Sequence, residues 1–413
     1  MVLGTQYLQD YLEPHSEKID DWFKAKLKLY KENSNILPLY SSVDIRESEY
    51  KISIVDSNVF PSGFNNLDIN ARNFASIRFS KYLSSISQNK NILIIPENHT
   101  RNKFYLNNLR ILSKILNKGG FKTTFGFIED ETSPHPKLFK DSEGHTIKIE
   151  KICRQKDKIY TESFKEGVTI LNNDLSVKEP KILKDINQPV IPPFSLGWYN
   201  RKKSTHFQIY NKYIEELASL ASFDPWFLRT MFIHVDDVDF KNQMNLNVVA
   251  KAVDMIIEKV SKKYAEYNIN ESPYVFVKNN SGTYGLGIIT VSSGDEIRTL
   301  NSKNRKKMIH GKMGSRINSV LIQEGIPTCY FQNNHPAEPV LYSIGWKIVG
   351  GFMRINKLRD KNKNLNTKGM IFDKLIENNL TKPIIFRDGK FSIFTMLAKV
   401  AILAIAHEQK QIS

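Results

Sequence analysis

The chain has 413 residues, 41% hydrophobic and 25% charged, with two cysteines, Cys153 and Cys329, and a formal net charge of +16. This size and balance exclude wholesale disorder, a collagen-like repeat and a disulfide-stapled miniprotein, and leave room for two or three domains with a large core. Two isolated cysteines exclude a thiolate zinc site and point to a reducing compartment, the cytoplasm.

The charge admits a non-catalytic nucleic-acid binder. Its excess, however, is spread along the chain, and the longest basic cluster, Lys303-Asn304-Arg305-Lys306-Lys307, has no interleaved aromatics on which bases would stack. An enzyme with polyanionic substrates suits the same charge, so small molecules rather than nucleic acid are the expected partners. No membrane partner is expected either. The start of the chain lacks a basic, then apolar, leader. The apolar run Ile393 to Ala406 is too short to span and is broken by Lys399, so it reads as a buried C-terminal helix.

In chain order, residues 1–45 carry Tyr11, Ile19, Trp22, Phe23, Leu27 and Tyr30 near helical spacing. Lys51 to Val55 reads as a strand ending in a polar loop, Asp56 to Asn66, and Asn91 to Ile95 as a second strand before the loop Pro96 to Asn102. Phe104, Leu106, Leu109, Leu112, Ile115 and Leu116 form a helical stripe that stops at Gly119-Gly120, and Phe121 to Phe127 is again strand-like. This alternation predicts an α/β domain with a parallel sheet, whose ligands sit beyond the carboxyl ends of the strands. Residues 130–190 read as a β-rich insertion or linker. Helices are predicted over about 205–220 and 248–267.

The segment Pro273 to Val291, PYVFVKNNSGTYGLGIITV, places Gly282, Gly285 and Gly287 between two β-runs, with Lys278 before the loop. Strands on both sides exclude a Rossmann turn, no GxxxxGK[ST] exists, and the order GxxGxG is not that of a kinase. What remains is a glycine hairpin whose backbone N–H groups can fold over phosphates, with a lysine at its base. Further on come SVLIQEGI with Gln323-Glu324, a paired-strand region with Gly350-Gly351 and Arg354, and the loop NLNTKGM with Asn364, Asn366 and Gly369. This serial order resembles an ATP-grasp fold.

The set DSNVFPSGFNN, PENHTRN, PPFSLGWYNRKKSTHF, VKNNSGTYGLGI, VGGFMR and NLNTKGM, spread from Asp56 to Gly369, resembles the proteobacterial ATP-grasp glutamate–cysteine ligase family. The resemblance implies an α/β N-terminal, pre-ATP-grasp-like domain followed by an α+β ATP-grasp domain. It divides the chain into helices and a substrate domain (1–130), an insertion (131–195), a subdomain with the hairpin (196–320) and a subdomain with Arg354 and the C-terminal helix (321–413). It implies ATP-dependent joining of the L-glutamate γ-carboxylate to L-cysteine, through an acyl phosphate, with Mg²⁺. The alternatives are another ligase of this fold, such as glutathione synthetase, an ATP-binding module without catalysis, or the nucleic-acid binder.

By the same resemblance Lys278 and Arg354 are catalytic. Lys203 (or Lys202), Lys278, Ser281, Gly282, Thr283, Tyr284, Gly285, Gly287, Gln323 and Glu324 bind ATP. Glu338, Asn364 and Asn366, with Asp373 as a further candidate, hold metal. Asn58, Asn65, Asn66, Glu97, Arg101 and Arg201 bind the amino acids, while His99 and His206 are structural. One departure stands out: Asn279-Asn280-Ser281 occupies a stretch where the resemblance leads one to expect an acidic or small residue, an Asp is lost, and no metal is assigned there.

Overall fold

The computed structural model describes residues 5–31, 37–97, 102–128, 136–176, 178–282, 285–314, 316–375 and 391–412. Among these, three sheets matter for the site, and a short ribbon pairs Cys153–Gln155 with Lys158–Tyr160.

The first sheet has the order Val190–Ile191, Val168–Asn172, Asn91–Pro96, Lys122–Phe127, Thr146–Lys151 and Lys137–Lys140, parallel except at its last pair. Its helix Lys103–Lys118 starts where the Asn102 side chain accepts from the Phe104 and Tyr105 N–H groups. The predicted stripe is buried from Leu106 to Leu116, whereas Phe104, in the first turn, is 72% exposed.

The second sheet is antiparallel, in the order Phe232–Val235, Val320–Glu324, Val275–Asn279, Ile288–Val291. The third is a six-stranded antiparallel sheet in the order Met370–Lys374, Lys347–Asn356, His335–Ile344, Tyr40–Glu47, Ile52–Asn58, with Tyr330–Gln332 also on His335–Ile344. Two expectations change here. Residues 40–47 form a strand, not a continuation of the N-terminal helices, which end as Thr5–Leu12 and Ser16–Lys31. The strand Ile52–Asn58 pairs with it and so joins the C-terminal strands rather than the parallel sheet. All eight residues of Tyr40–Glu47 are buried, and Asp44 and Arg46 among them erase the apolar alternation that marks a half-buried strand.

The C-terminal helix Ile393–Ile412 packs on the helix Lys203–Ala221 and on strands of the third sheet. It is buried, as its apolar run requires. No helix among the described residues is long and apolar enough to cross a membrane.

Candidate active site

A cleft opens between the second and third sheets, lined on one side by Lys203, Lys278, Gln323 and the glycine hairpin, and on the other by Asp44, Arg46, Glu338, Asn364 and Asn366. Lys278 is next to last in its strand, and its Nζ donates to the Val55 carbonyl at 2.8 Å. Burial pulls its pKa down to about 7, against the pull of Asp56 and with the help of Lys203. Lys203 opens its helix, pairs with Asp56 and lies over the Trp198 ring, 4.4 Å from the centroid. Burial raises the Asp56 carboxyl, but Lys203 and Lys278 outweigh it and hold the group below its usual value. Of the two adjacent lysines only Lys203 lines the cleft; Lys202 turns outward, 3.9 Å from Asp236 and 44% exposed at its side chain.

Asn279 and Asn280 explain the departure from the acidic pattern. Asn279 Oδ1 accepts from the Ser281 N–H at 3.0 Å while its Nδ2 donates to the Ser281 carbonyl at 3.1 Å. Asn280 Oδ1 accepts from the Ser204 N–H at 2.9 Å, and its Nδ2 donates to Ser204 Oγ and Ser319 Oγ at 2.9 and 3.0 Å. Each amide both gives and takes, which a carboxylate cannot do. Asn279 shapes the hairpin's first turn, and Asn280 anchors it to the helix of Lys203.

Gly282 and Gly285 line the cleft, as the nucleotide reading requires, while Thr283 and Tyr284 lie outside the described residues. Gly285 has φ +65°, and a Cβ there would meet the Asn366 carbonyl oxygen at 2.1 Å. Gly285→Ala therefore displaces the hairpin from the Asn364–Asn366 loop. Strain of about 1–3 kcal/mol falls on the closed site, and the expected result is a KM for nucleotide raised roughly tenfold, read by steady-state kinetics.

Across the cleft the charges alternate. Arg354 Nη1 donates to Asp44 Oδ2 at 2.5 Å and to Glu338 Oε1 at 2.8 Å, and Arg46 Nε donates to Glu338 Oε2 at 2.6 Å. Arg46 also donates to the carbonyls of Ile326, Lys361 and Lys363, tying two loops to the floor. Burial lifts the Asp44 carboxyl despite Arg354, whereas Arg46 and Arg354 overcome burial at Glu338 and keep it low. Arg354 Nε is buried with no hydrogen-bond partner among the described residues. So are both polar atoms of the Gln323 amide. A buried donor and acceptor without partners on a cleft wall is a cost that a ligand relieves.

The glutamate-cysteine ligase (GshA) family profile matches residues 9–409. The chain belongs to the glutamate–cysteine ligase family. A solved structure from Methylobacillus flagellatus KT, assigned as a gamma-glutamylcysteine synthetase, is 33% identical with a TM-score of 0.89, covering 100% of this chain and 97% of that one. D-alanyl-alanine synthetase A from Vibrio cholerae aligns over 78% of this chain and 82% of its own at 9% identity and a TM-score of 0.36, a level that carries no weight. No curated protein matches the chain.

Several residues expected to serve this ligase sit elsewhere. The Glu324 side chain faces away from Gln323: Lys51 Nζ reaches it at 2.8 Å and Trp226 Nε1 donates to it at 3.0 Å, so its carboxylate is not on the cleft wall. Arg201 is buried against Glu408, with Nε at 2.6 Å from its carboxylate, and does not line the cleft. Ser281 donates its hydroxyl to the Arg201 carbonyl at 3.0 Å, and Gly287, with φ +63°, turns the returning strand. Asp373 lies on the exposed strand Met370–Lys374, bonded to Gln332.

In the first sheet's neighbourhood, Glu97 already has an ammonium, Lys312 Nζ at 2.8 Å, and accepts the Asp174 N–H at 2.9 Å. Burial and then Asp174 push its carboxyl up to about 7. Asn65 and Asn66 bond each other at 3.2 Å in a short turn, and Asn58 ends its strand opposite Ser42. None of these four lines the cleft. Arg101 and His99 lie outside the described residues. His206 is buried against Glu408, as a structural histidine. Asp44, Arg46 and Asp56 are the cleft residues that sequence reasoning passed over; only the DSN of Asp56 carried a signal.

No group of three or more His, Cys, Asp or Glu able to hold a metal exists among the described residues. Glu338, Asn364 and Asn366 nevertheless share one cleft wall. Both Glu338 oxygens already accept from Arg46 and Arg354, and Asn364 Oδ1 accepts the Asn366 N–H at 3.0 Å, so Mg²⁺ would be held through their second lone pairs and take its remaining ligands from substrate phosphates and water.

Proposed function

We propose that the two antiparallel sheets act as ATP-grasp jaws, with the boundary expected at 320 moved past the strand Val320–Glu324, which belongs to the first jaw, and with the N-terminal hairpin 40–58 built into the second. The observation that carries this reading is two buried lysines at the base of a glycine hairpin, facing Asp44, Glu338 and the Asn364–Asn366 loop across one cleft; Arg354 does not line it but bonds Asp44 and Glu338 from behind that wall. As a glutamate–cysteine ligase the enzyme uses ATP to make γ-glutamylcysteine, the first step of glutathione synthesis.

A carboxylate is a poor acyl donor. An oxygen of the glutamate γ-carboxylate attacks the γ-phosphorus of ATP, the bond to ADP breaks, and an acyl phosphate forms. The cysteine amine then attacks the carbonyl carbon, loses its proton and expels phosphate. Lys203 and Lys278 hold phosphate oxygens, and the hairpin N–H groups cover them. Arg354, whose fork is held by Asp44 and Glu338, has only its unpartnered Nε–H to offer the transferring group. Gln323 offers its donor and acceptor to the adenine edge. Glu338, Asn364 and Asn366 would hold Mg²⁺, which when bound neutralises phosphate charge.

The test is ADP release measured over a matrix of amino-acid pairs. Glutamate plus cysteine is expected to release ADP and phosphate in equal amounts, and γ-glutamylcysteine plus glycine none. Release only with the second pair would replace this reading with glutathione synthesis.

A further inference from the structure

The cations of the cleft are backed by a carboxylate from the far end of the chain. Glu408, on the C-terminal helix, receives Arg201 Nε at 2.6 Å and Nη2 at 3.2 Å, and His206 Nδ1 hydrogen-bonds to it as well. Arg201 and His206 bracket Lys203 in sequence. Arg201 Nη1 also donates to the Ser57 carbonyl at 2.8 Å and its Nη2 to Ser57 Oγ at 3.0 Å, one residue from Asp56, the partner of Lys203. The Arg201 carbonyl in turn accepts the Ser281 hydroxyl at the root of the glycine hairpin. Glu408 and His206 are each 1% exposed and Arg201 2%.

One carboxylate thus fixes one guanidinium, and that guanidinium's residue touches the strand of Asp56, the start of the Lys203 helix and the hairpin. We propose that Glu408 is a positioning residue of the nucleotide site, acting through Arg201 on Lys203, Asp56 and Ser281. The inference rests on the nucleotide reading of the cleft. A glutamine at 408 has nearly the same shape but one oxygen and one NH₂. Either amide orientation turns the NH₂ toward an N–H of Arg201, since each Glu408 oxygen accepts one, and the guanidinium must rotate to escape it.

Binding of Mg·AMP-PNP to the full chain without amino acids, by calorimetry, tests this. Wild type is expected to bind, Glu408→Gln to bind at least tenfold more weakly, and Glu408→Asp, which keeps the charge on a shorter arm, to fall between. Glu150→Gln serves as a structural control. Its buried carboxylate bonds Thr161 and Ser163 in the parallel sheet, outside the cleft lining, and its loss should lower Tm and leave the affinity alone. Affinity of Glu408→Gln within twofold of wild type overturns the proposal. If that variant does not fold, Glu408→Asp decides: weaker binding supports the role, and unchanged binding overturns it. Wild type that fails to bind the nucleotide defeats the reading of the cleft itself, and the inference with it.

Discussion

Lys278→Met should cut kcat/KM for ATP by about 10²–10³-fold while leaving Tm unchanged or higher. In the proposed nucleotide site the variant removes a buried charge that would meet the triphosphate, and burial makes such a charge worth far more than one at a surface. The stability result follows from linkage. The folded-state pKa of Lys278, about 7, lies below the ordinary lysine value of 10.5. Between those two pH values the unfolded chain binds the proton and the folded chain does not, so wild-type stability rises with pH across that window. Below pH 7 both states are charged and the full burial penalty applies. Methionine lacks the charge, so the variant gains most at low pH. The same shift predicts proton uptake on binding. At pH 8 the free enzyme holds Lys278 mostly neutral, and a bound triphosphate raises its pKa and protonates it. Calorimetry of Mg·AMP-PNP in buffers of different ionisation enthalpy should show uptake at pH 8 that disappears in Lys278→Met. Uptake persisting in the variant would move the titrating group elsewhere. Lys278→Arg is not expected to restore full activity, because a planar fork does not fit where a point charge sits.

Arg354→Ala should lose both activity and stability, and the two losses can be separated. The variant leaves Asp44 without its guanidinium and Glu338 with Arg46 alone, inside a site where all four side chains are buried. Breaking such a pair typically costs about 3–5 kcal/mol, which chemical denaturation would read directly. The pH dependence has a definite sign. The folded-state pKa of Asp44 is already raised by burial, and loss of Arg354 raises it further. A carboxyl with a raised folded-state pKa binds its proton more tightly in the folded chain, so the deficit should be smaller at pH 5 than at pH 8. Adding Glu338→Gln to Arg354→Ala should recover part of the stability and none of the turnover. Arg354→Lys keeps a charge but cannot span Asp44 and Glu338 together, so it should fold better than alanine and still turn over slowly. Wild-type turnover in any of these variants would remove Arg354 from the transfer step.

The local chemistry was legible in the sequence. The glycine hairpin, Lys278 at its base and the Asn364–Asn366 loop are short contiguous patterns whose strand and turn residues act over a few positions, and the structure brings them to one cleft, while Arg354 sits behind its wall on Asp44 and Glu338. The helix Lys103–Lys118 and the strands Asn91–Pro96 and Lys122–Phe127 were legible for the same reason, but the other four strands of their sheet come from residues 131–195, read as an insertion or linker. Tertiary structure decided the rest. The strand Tyr40–Glu47 carries charged residues on a buried face because that face is a cleft wall, so its apolar period vanishes, and one of its two partner strands, His335–Ile344, lies some 300 residues away. Strand pleating alone separates Gln323, on the wall, from Glu324, behind it. Arg201 has the composition of a ligand-binding arginine and a structural role, set by a carboxylate that only the packing of the last helix delivers. A sequence specifies which groups are present and how each turn bends; which of two neighbouring side chains meets the ligand is settled by long-range pairing and by the charges burial brings together.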